Sequence, residues 1–165
     1  SWLSLVKEKK IPAIIIDRPQ SVELGPDCRL DILSPVENLA KKEVENLNNS
    51  SIVVKLVYKQ NSFLLAGDME SGVEKELIKR NVDLRADALK IGHHGSDNAS
   101  SEEFLEKIRP RIAVIEVGAN NNFGHPSLRI LKRLERLGVK IFRTDTGGTI
   151  KIISDGEKIS EFREK

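Results

Sequence analysis

Four side chains have the types and positions that could do chemistry: Asp68, His93, His94 and His125. The chain has three histidines, and two of them are adjacent in "LKIGHHGSDNASS", residues 89–101. Imidazole is the commonest ligand for a borderline divalent metal, and carboxylate oxygens serve the same ions. Asp68 closes "FLLAGD", directly after an apolar run and a glycine. There it is poised to hold a cation or to cap a following helix. His125 stands in "NNNFGHPSL", between Gly124 and Pro126. A ring beside a helix start is well placed to meet an anion such as phosphate. The competing readings are plain: loop histidines bonded to backbone, and at 125 a surface histidine with no role. Ser96 reads as a turn cap, and Asn120, Asn121 and Asn122 as turn formers. The count of donors sets a limit. Hydrolytic metal sites need at least three protein ligands, and two-metal sites need more. Asp68 with one or two histidines falls short, and neither HxH nor HExxH occurs in the chain.

Positioning these residues requires strands that end beside one another. Trp2, Leu3 and Val6 have helical spacing, "IPAIIID" (11–17) reads as a buried strand, and residues 21–35 read as two strands around Gly25-Pro26-Asp27. Residues 36–50 are polar, a surface loop with some helix, and "SIVVKLVYKQNSFLLAGD" (51–68) is a hairpin. Strands and helices then alternate. Helix is expected over 69–81, strand over 86–92, and helix over 100–110 with a Ser100–Glu103 capping box. Strand follows over 111–118, helix over 125–138 with Pro126 near its first turn, and strand over 139–145. A terminal hairpin turns at Asp155-Gly156, and "RTDTGG" is a turn in which Asp145 bonds local backbone. The reading is α/β (α+β): a mixed sheet with helices on its outer face, in one domain over 1–165. Asp68, His93, His94, His125 and Asp145 then fall at or just past strand ends, where sites of layered α/β folds are built. If His93 and His94 continue a strand, they point to opposite faces, one toward the site and one supporting it.

Composition bounds the rest. The chain has 165 residues, 39% of them hydrophobic and 32% charged, a globular composition. The net charge of +2 predicts no strong general attraction to nucleic acid. Cys28 is the single cysteine, so no intrachain disulfide can form. The longest apolar run, 11–16, is too short to cross a bilayer, so no transmembrane segment is expected.

"NNSSIVVKLVYKQNSFLLAGD", "ADALKIGHHGS", "EKIRPRIAVIEVGANNNFGHP" and "FRTDTGGTIKI", in that order, resemble the metallo-β-lactamase superfamily. In particular they are similar to the C-terminal hydrolase domain of ComEC-type DNA-uptake proteins. The resemblance covers Ile11 to Gly156. It implies an αββα sandwich with two divalent metal ions, zinc or manganese, at one edge. Asp68 matches the metal-bridging aspartate, and the HHGS histidines match a late ligand motif, with His93 favoured as the ligand and His94 as its neighbour. Asn48 falls near a ligand position of the wider superfamily, Ser51 matches a family serine, and His125 matches a histidine at the substrate phosphate. Ser127 and Leu128 replace the last two residues of the family's GHPHP. The HxHxDH motif of the first half does not occur. The resemblance thus implies an N-terminally truncated domain with an incomplete ligand set, a poor enzyme by itself. Its partners would be the missing N-terminal segment and a phosphodiester substrate, most plausibly DNA. The competence-type protein would act on the extracytoplasmic face of the bacterial membrane. A stand-alone hydrolase of another ester, and a non-catalytic remnant kept for partner binding, are the alternatives. An apolar surface left open by the missing segment is also expected.

Overall fold

The computed structural model describes residues 2–164, the last by its backbone alone, and leaves Ser1 and Lys165 outside the description. Helix α1 (Trp2–Glu8) leads into an irregular stretch, then strands β1 (Gln20–Gly25) and β2 (Cys28–Ser34). A single 3-10 turn, Leu47–Ser50, precedes the β3 (Val53–Tyr58) and β4 (Asn61–Leu65) hairpin. Then α2 (Ser71–Lys79), β5 (Ala88–Lys90), α3 (Glu102–Ile108), β6 (Ile112–Ile115), α4 (Leu128–Arg136) and β7 (Lys140–Arg143) alternate. β8 (Thr149–Ser154) and β9 (Ile159–Glu164) close the chain.

β1 to β7 form one sheet in chain order. β1 to β4 pair antiparallel, and β4 to β7 pair parallel. Parallel neighbours need a crossover, and each crossover here carries a helix. Crossovers that step one strand at a time in one direction leave their helices on one face. Accordingly Leu77 of α2, Phe104 and Leu105 of α3, and Ile130 and Leu134 of α4 share one core with Val53, Leu64, Leu89, Ala113 and Ile115. Period-two alternation sends Phe63, Ala88, Ile112, Val114 and Phe142 to the other face, where Ile150, Ile152 and Ile159 of the β8–β9 hairpin cover them. The described layers are therefore helices, mixed sheet and hairpin, the mixed α/β architecture that the alternation of elements predicts.

Several local expectations shift. "IPAIIID" forms no strand: it runs irregularly, with Ile14 73% and Ile15 85% exposed. An apolar run becomes a strand only where a sheet edge accepts its backbone, and no described strand pairs with it. The cap of α3 is Ser101, whose Oγ accepts from Phe104 N–H at 3.3 Å, rather than Ser100. α4 is capped by Ser127 and starts at Leu128, so His125 and Pro126 precede the helix instead of opening it.

Ser100 has a different task. It is fully buried, with a positive φ of 52°. The carboxylate of Glu74, 1% exposed on α2, accepts from the backbone N–H groups of Ser100 and Ser101. Arg133 on α4 donates to the Ser100 carbonyl at 3.1 Å. A buried carboxylate thus clamps the loop that follows the histidine pair. Burial raises the Glu74 carboxyl above its usual range, against the bonds from Ser101 and Ser100 and the charge of Arg133. The folded chain holds that proton to higher pH than the unfolded chain. Stability therefore falls as pH rises from the ordinary carboxylate range through the raised value. Glu74→Gln should flatten this slope. It also sets an amide N–H against a backbone N–H and should cost about 1–3 kcal/mol. Urea melts of both proteins across that pH range check both effects.

Candidate functional site

The C-terminal ends of β4, β5 and β6 lie side by side, and the loops that leave them carry Asp68, then His93 and His94, then His125. β3 runs antiparallel to β4, so the turn holding Asn48 and the adjoining Ser51 enter at the same edge. This is the strand-end edge at which open α/β sheets bind ligands.

Asp68 does not cap α2. The residue in the cap position is Glu70, without a side-chain cap bond. Asp68 is instead set by its backbone, which donates to Ser51 Oγ at 3.0 Å, and by Gly67 at φ 57°. A Cβ on Gly67 would come within 2.9 Å of Ser51 Cβ, so the close approach of the two loops needs a glycine.

Gly92–Gly95 forms a single turn rather than a continuation of β5. His93 (φ 44°, ψ 48°) and His94 (φ 53°, ψ 21°) are both left-handed. For non-glycine residues this costs roughly 1–2 kcal/mol each. Strand alternation therefore does not apply, and both rings stay at the site, 6.4 Å apart between centroids. His94 Nδ1 donates to the Glu116 carbonyl at 2.6 Å, because a carbonyl can only accept. In the neutral ring this leaves the lone pair on Nε2, which stands 3.5 Å from Asp68 Oδ1. A backbone acceptor that fixes tautomer and orientation is what metal-ligating histidines commonly have.

His93 looks elsewhere. Its Nδ1 is 3.2 Å from Glu70 Oε1, yet it is buried without a hydrogen bond, since the pair is out of line. Its Nε2 lies 3.4 Å from Asn48 Nδ2. Asn48 and Asn46 each donate to the Glu70 carboxylate at 2.9 Å. So the structure puts His94 beside Asp68, and His93 with Glu70, Asn48 and His125.

His125 packs edge-on against His93, centroids 5.7 Å apart. Burial first, then His93 and His94, hold its imidazole below the ordinary histidine value, while Asp97 acts the other way. Gly95 makes this meeting possible: a Cβ there would fall 2.6 Å from Pro126 Cβ, and the Gly95 carbonyl accepts from Ser127 N–H at 3.0 Å. Ser96 is buried, its Oγ accepting from Asn98 N–H at 3.4 Å, and serves the turn. Asp145 forms a two-point pair with Arg143, at 3.0 and 2.5 Å, which holds its carboxyl below the usual range.

Sequence reasoning missed Glu70 and Asn46. One signal was available: Glu70 stands two residues after Asp68, across an apolar Met69 that the structure buries. Among the described residues no three His, Cys, Asp or Glu side chains gather as a metal-binding group. Asp68 and His94 stand side by side as two possible metal donors.

No protein-family model matches the chain. Relatives do. The chain is 36% identical over 124 residues to ComE operon protein 3 of Bacillus subtilis (strain 168), a match over 75% of the chain and 16% of that protein. It is 32% identical over 121 residues to competence protein ComA of Neisseria gonorrhoeae, 73% of the chain and 17% of that protein. Its homologues are competence proteins. Recombination protein 2 of Haemophilus influenzae is 31% identical over 136 residues, 81% of the chain and 16% of that protein. The chain spans about a sixth of the length of the curated relatives it matches.

Two outcomes follow from the geometry. Nitrogen NMR should show His94 as the Nδ1-protonated tautomer; a dominant Nε2-protonated ring would contradict the Glu116 bond. Gly95→Ala should cost about 1–3 kcal/mol through overpacking against Pro126. It should also shift the ring resonances of His125 as that loop is pushed away from His93, which denaturant melts and proton spectra would record.

Proposed function

We propose that this chain is the histidine-bearing part of a ComEC-type competence protein with a metallo-β-lactamase-like αββα domain, and that it serves metal-dependent hydrolysis of DNA phosphodiesters during uptake. The observation that carries the reading is the oriented lone pair of His94 Nε2 at 3.5 Å from Asp68 Oδ1, at the same edge as His93 and His125. The similarity to competence proteins supports DNA as the substrate class in this reading. Among the described residues the donor set is short by at least one ligand. In this reading the remaining donors for two zinc or manganese ions belong to another segment of the longer protein, and the chain alone does not turn over DNA.

The chain's own residues then divide the work. Asp68 and His94 are the metal-side groups, held by Ser51 and by the Glu116 carbonyl. Asn48, Asn46 and Glu70 brace His93 at the rear. The His125 backbone N–H is already taken by Asn121, so only its ring is free to meet a phosphate oxygen. Its lowered proton affinity keeps that ring mostly neutral near pH 7, able to give one hydrogen bond and to accept a proton. The short donor count supports a second reading, in which the competence protein binds DNA at this edge without cutting it.

The test uses a full-length relative carrying the same residues, with metal content and DNA cleavage measured mutant by mutant. Asp68→Ala and His94→Ala should lower bound zinc or manganese together with the rate. His125→Ala should keep the metal and lose rate about 10²–10⁴-fold, the usual worth of a positioned acid–base group. Loss of metal on His93→Ala but not His94→Ala would exchange the two roles. DNA binding without cleavage in the wild type would favour the second reading.

A further inference from the structure

The loop between β6 and α4 presents a side chain that the hydrolytic reading does not use. Phe123 is 81% exposed, yet it is held in place. Its ring stacks on His125, centroids 5.8 Å apart and planes 22° from parallel. Its backbone is fixed by Asn121, whose Oδ1 accepts from the N–H groups of Phe123 at 3.1 Å and His125 at 3.0 Å. Asn121 Nδ2 donates to the carbonyls of Gly118 at 2.9 Å and His125 at 2.8 Å. Both donors and both acceptor positions of that amide are therefore used. A single exposed apolar residue is ordinary on a protein surface. What distinguishes Phe123 is rigidity and place: with His94, Val117, Gly118 and His125 it lines a cleft of about 390 Å³ directly beside the histidine cluster.

We infer that Phe123 is a stacking platform for an unpaired nucleobase, and that the nucleotide bearing this base places its phosphate at His125. The inference rests on the phosphodiester reading above and adds that the strand at the site is single. Phenyl and imidazole are close enough for one nucleotide to reach both. Bases within a duplex have their faces covered by their neighbours, so only an unpaired base offers a free π-face. Asn121 has nothing left to read a base edge, so the contact is tolerant of sequence. The net charge of +2 offers little general attraction to phosphates, which leaves stacking a large share of the affinity.

The experiment is equilibrium binding of short DNA oligonucleotides to the chain, followed by fluorescence anisotropy, with 2-aminopurine as the stacking reporter. The native chain should bind a single strand more tightly than the same sequence as a duplex, and should quench 2-aminopurine. Phe123→Ala should weaken binding roughly tenfold or more and abolish the quench, while Phe123→Trp should restore both. An abasic strand should bind the native chain as weakly as the intact strand binds Phe123→Ala. Exchanging one base for another should change affinity only a few-fold. Circular dichroism should first establish that the variants are folded. Equal affinity of native chain and Phe123→Ala, or no loss with the abasic strand, would overturn the platform while leaving the hydrolytic reading intact. Absence of any DNA binding by the native chain would overturn the platform, while the hydrolytic reading stands or falls with cleavage by the full-length relative. Stacking-dependent binding joined to a metal-replete relative that never cuts DNA would uphold the platform and reject hydrolysis.

Discussion

Pro126 occupies the space where a side chain at position 95 would begin, and the site depends on that contact. The loops after β5 and β6 leave the sheet separately. Only because residue 95 lacks a Cβ can they dock, joined by the Ser127 N–H to Gly95 carbonyl bond. This docking sets His125 against His93 and shapes one wall of the cleft. Gly67 does the equivalent on the other side, letting the Asp68 loop close onto Ser51. Two glycines at positive φ thus draw three strand-end loops into one edge.

The histidine pair sits in a backbone conformation that opposes its formation. Left-handed φ at both His93 and His94 costs a few kcal/mol in sum. Residues on either side over-determine it. The His93 N–H donates to the Gly67 carbonyl, and Ser96 N–H to the His93 carbonyl. Farther along, Glu74 and Arg133 fasten Ser100 and Ser101 to the helix layer. A buried carboxylate is an expensive clamp, tolerable because it satisfies two backbone donors that would otherwise be buried unpaired. The helix layer therefore anchors the loop as well as covering the sheet.

Polar groups at the edge are arranged asymmetrically. Asp68 and His94 are each about half exposed, and their facing atoms are left to each other or to a ligand. His93 and Glu70 are more deeply set and are engaged by two asparagine amides. Shielded groups of this kind hold geometry, whereas the open pair is free to exchange partners. The same division recurs at residues 121–125, where Asn121 is wholly spent on the loop and Phe123 is left to solvent.

Much of the architecture was legible in the residue pattern. Alternation in 53–65, the β-α rhythm of 71–143 and the Asp155-Gly156 turn are local signals, and local backbone physics obeys them. The clustering of Asp68, the two adjacent histidines and His125 at strand ends was likewise readable, because strand order in an alternating β-α chain leaves few choices of edge. Three matters were not local. The apolar run at 11–17 carries a strand's composition, but whether it pairs depends on an available sheet edge. Which histidine meets Asp68 depends on two left-handed residues and a carbonyl at Glu116, a partner 22 positions away. Glu70 joins the site, and Asp68 declines the cap, through contacts with a turn and its flanking serine 17 to 24 residues earlier. Sequence spacing determined which residues reach the edge; side-chain direction there was decided only by loops packing on loops, a long-range steric constraint that no period of 2 or 3.6 encodes.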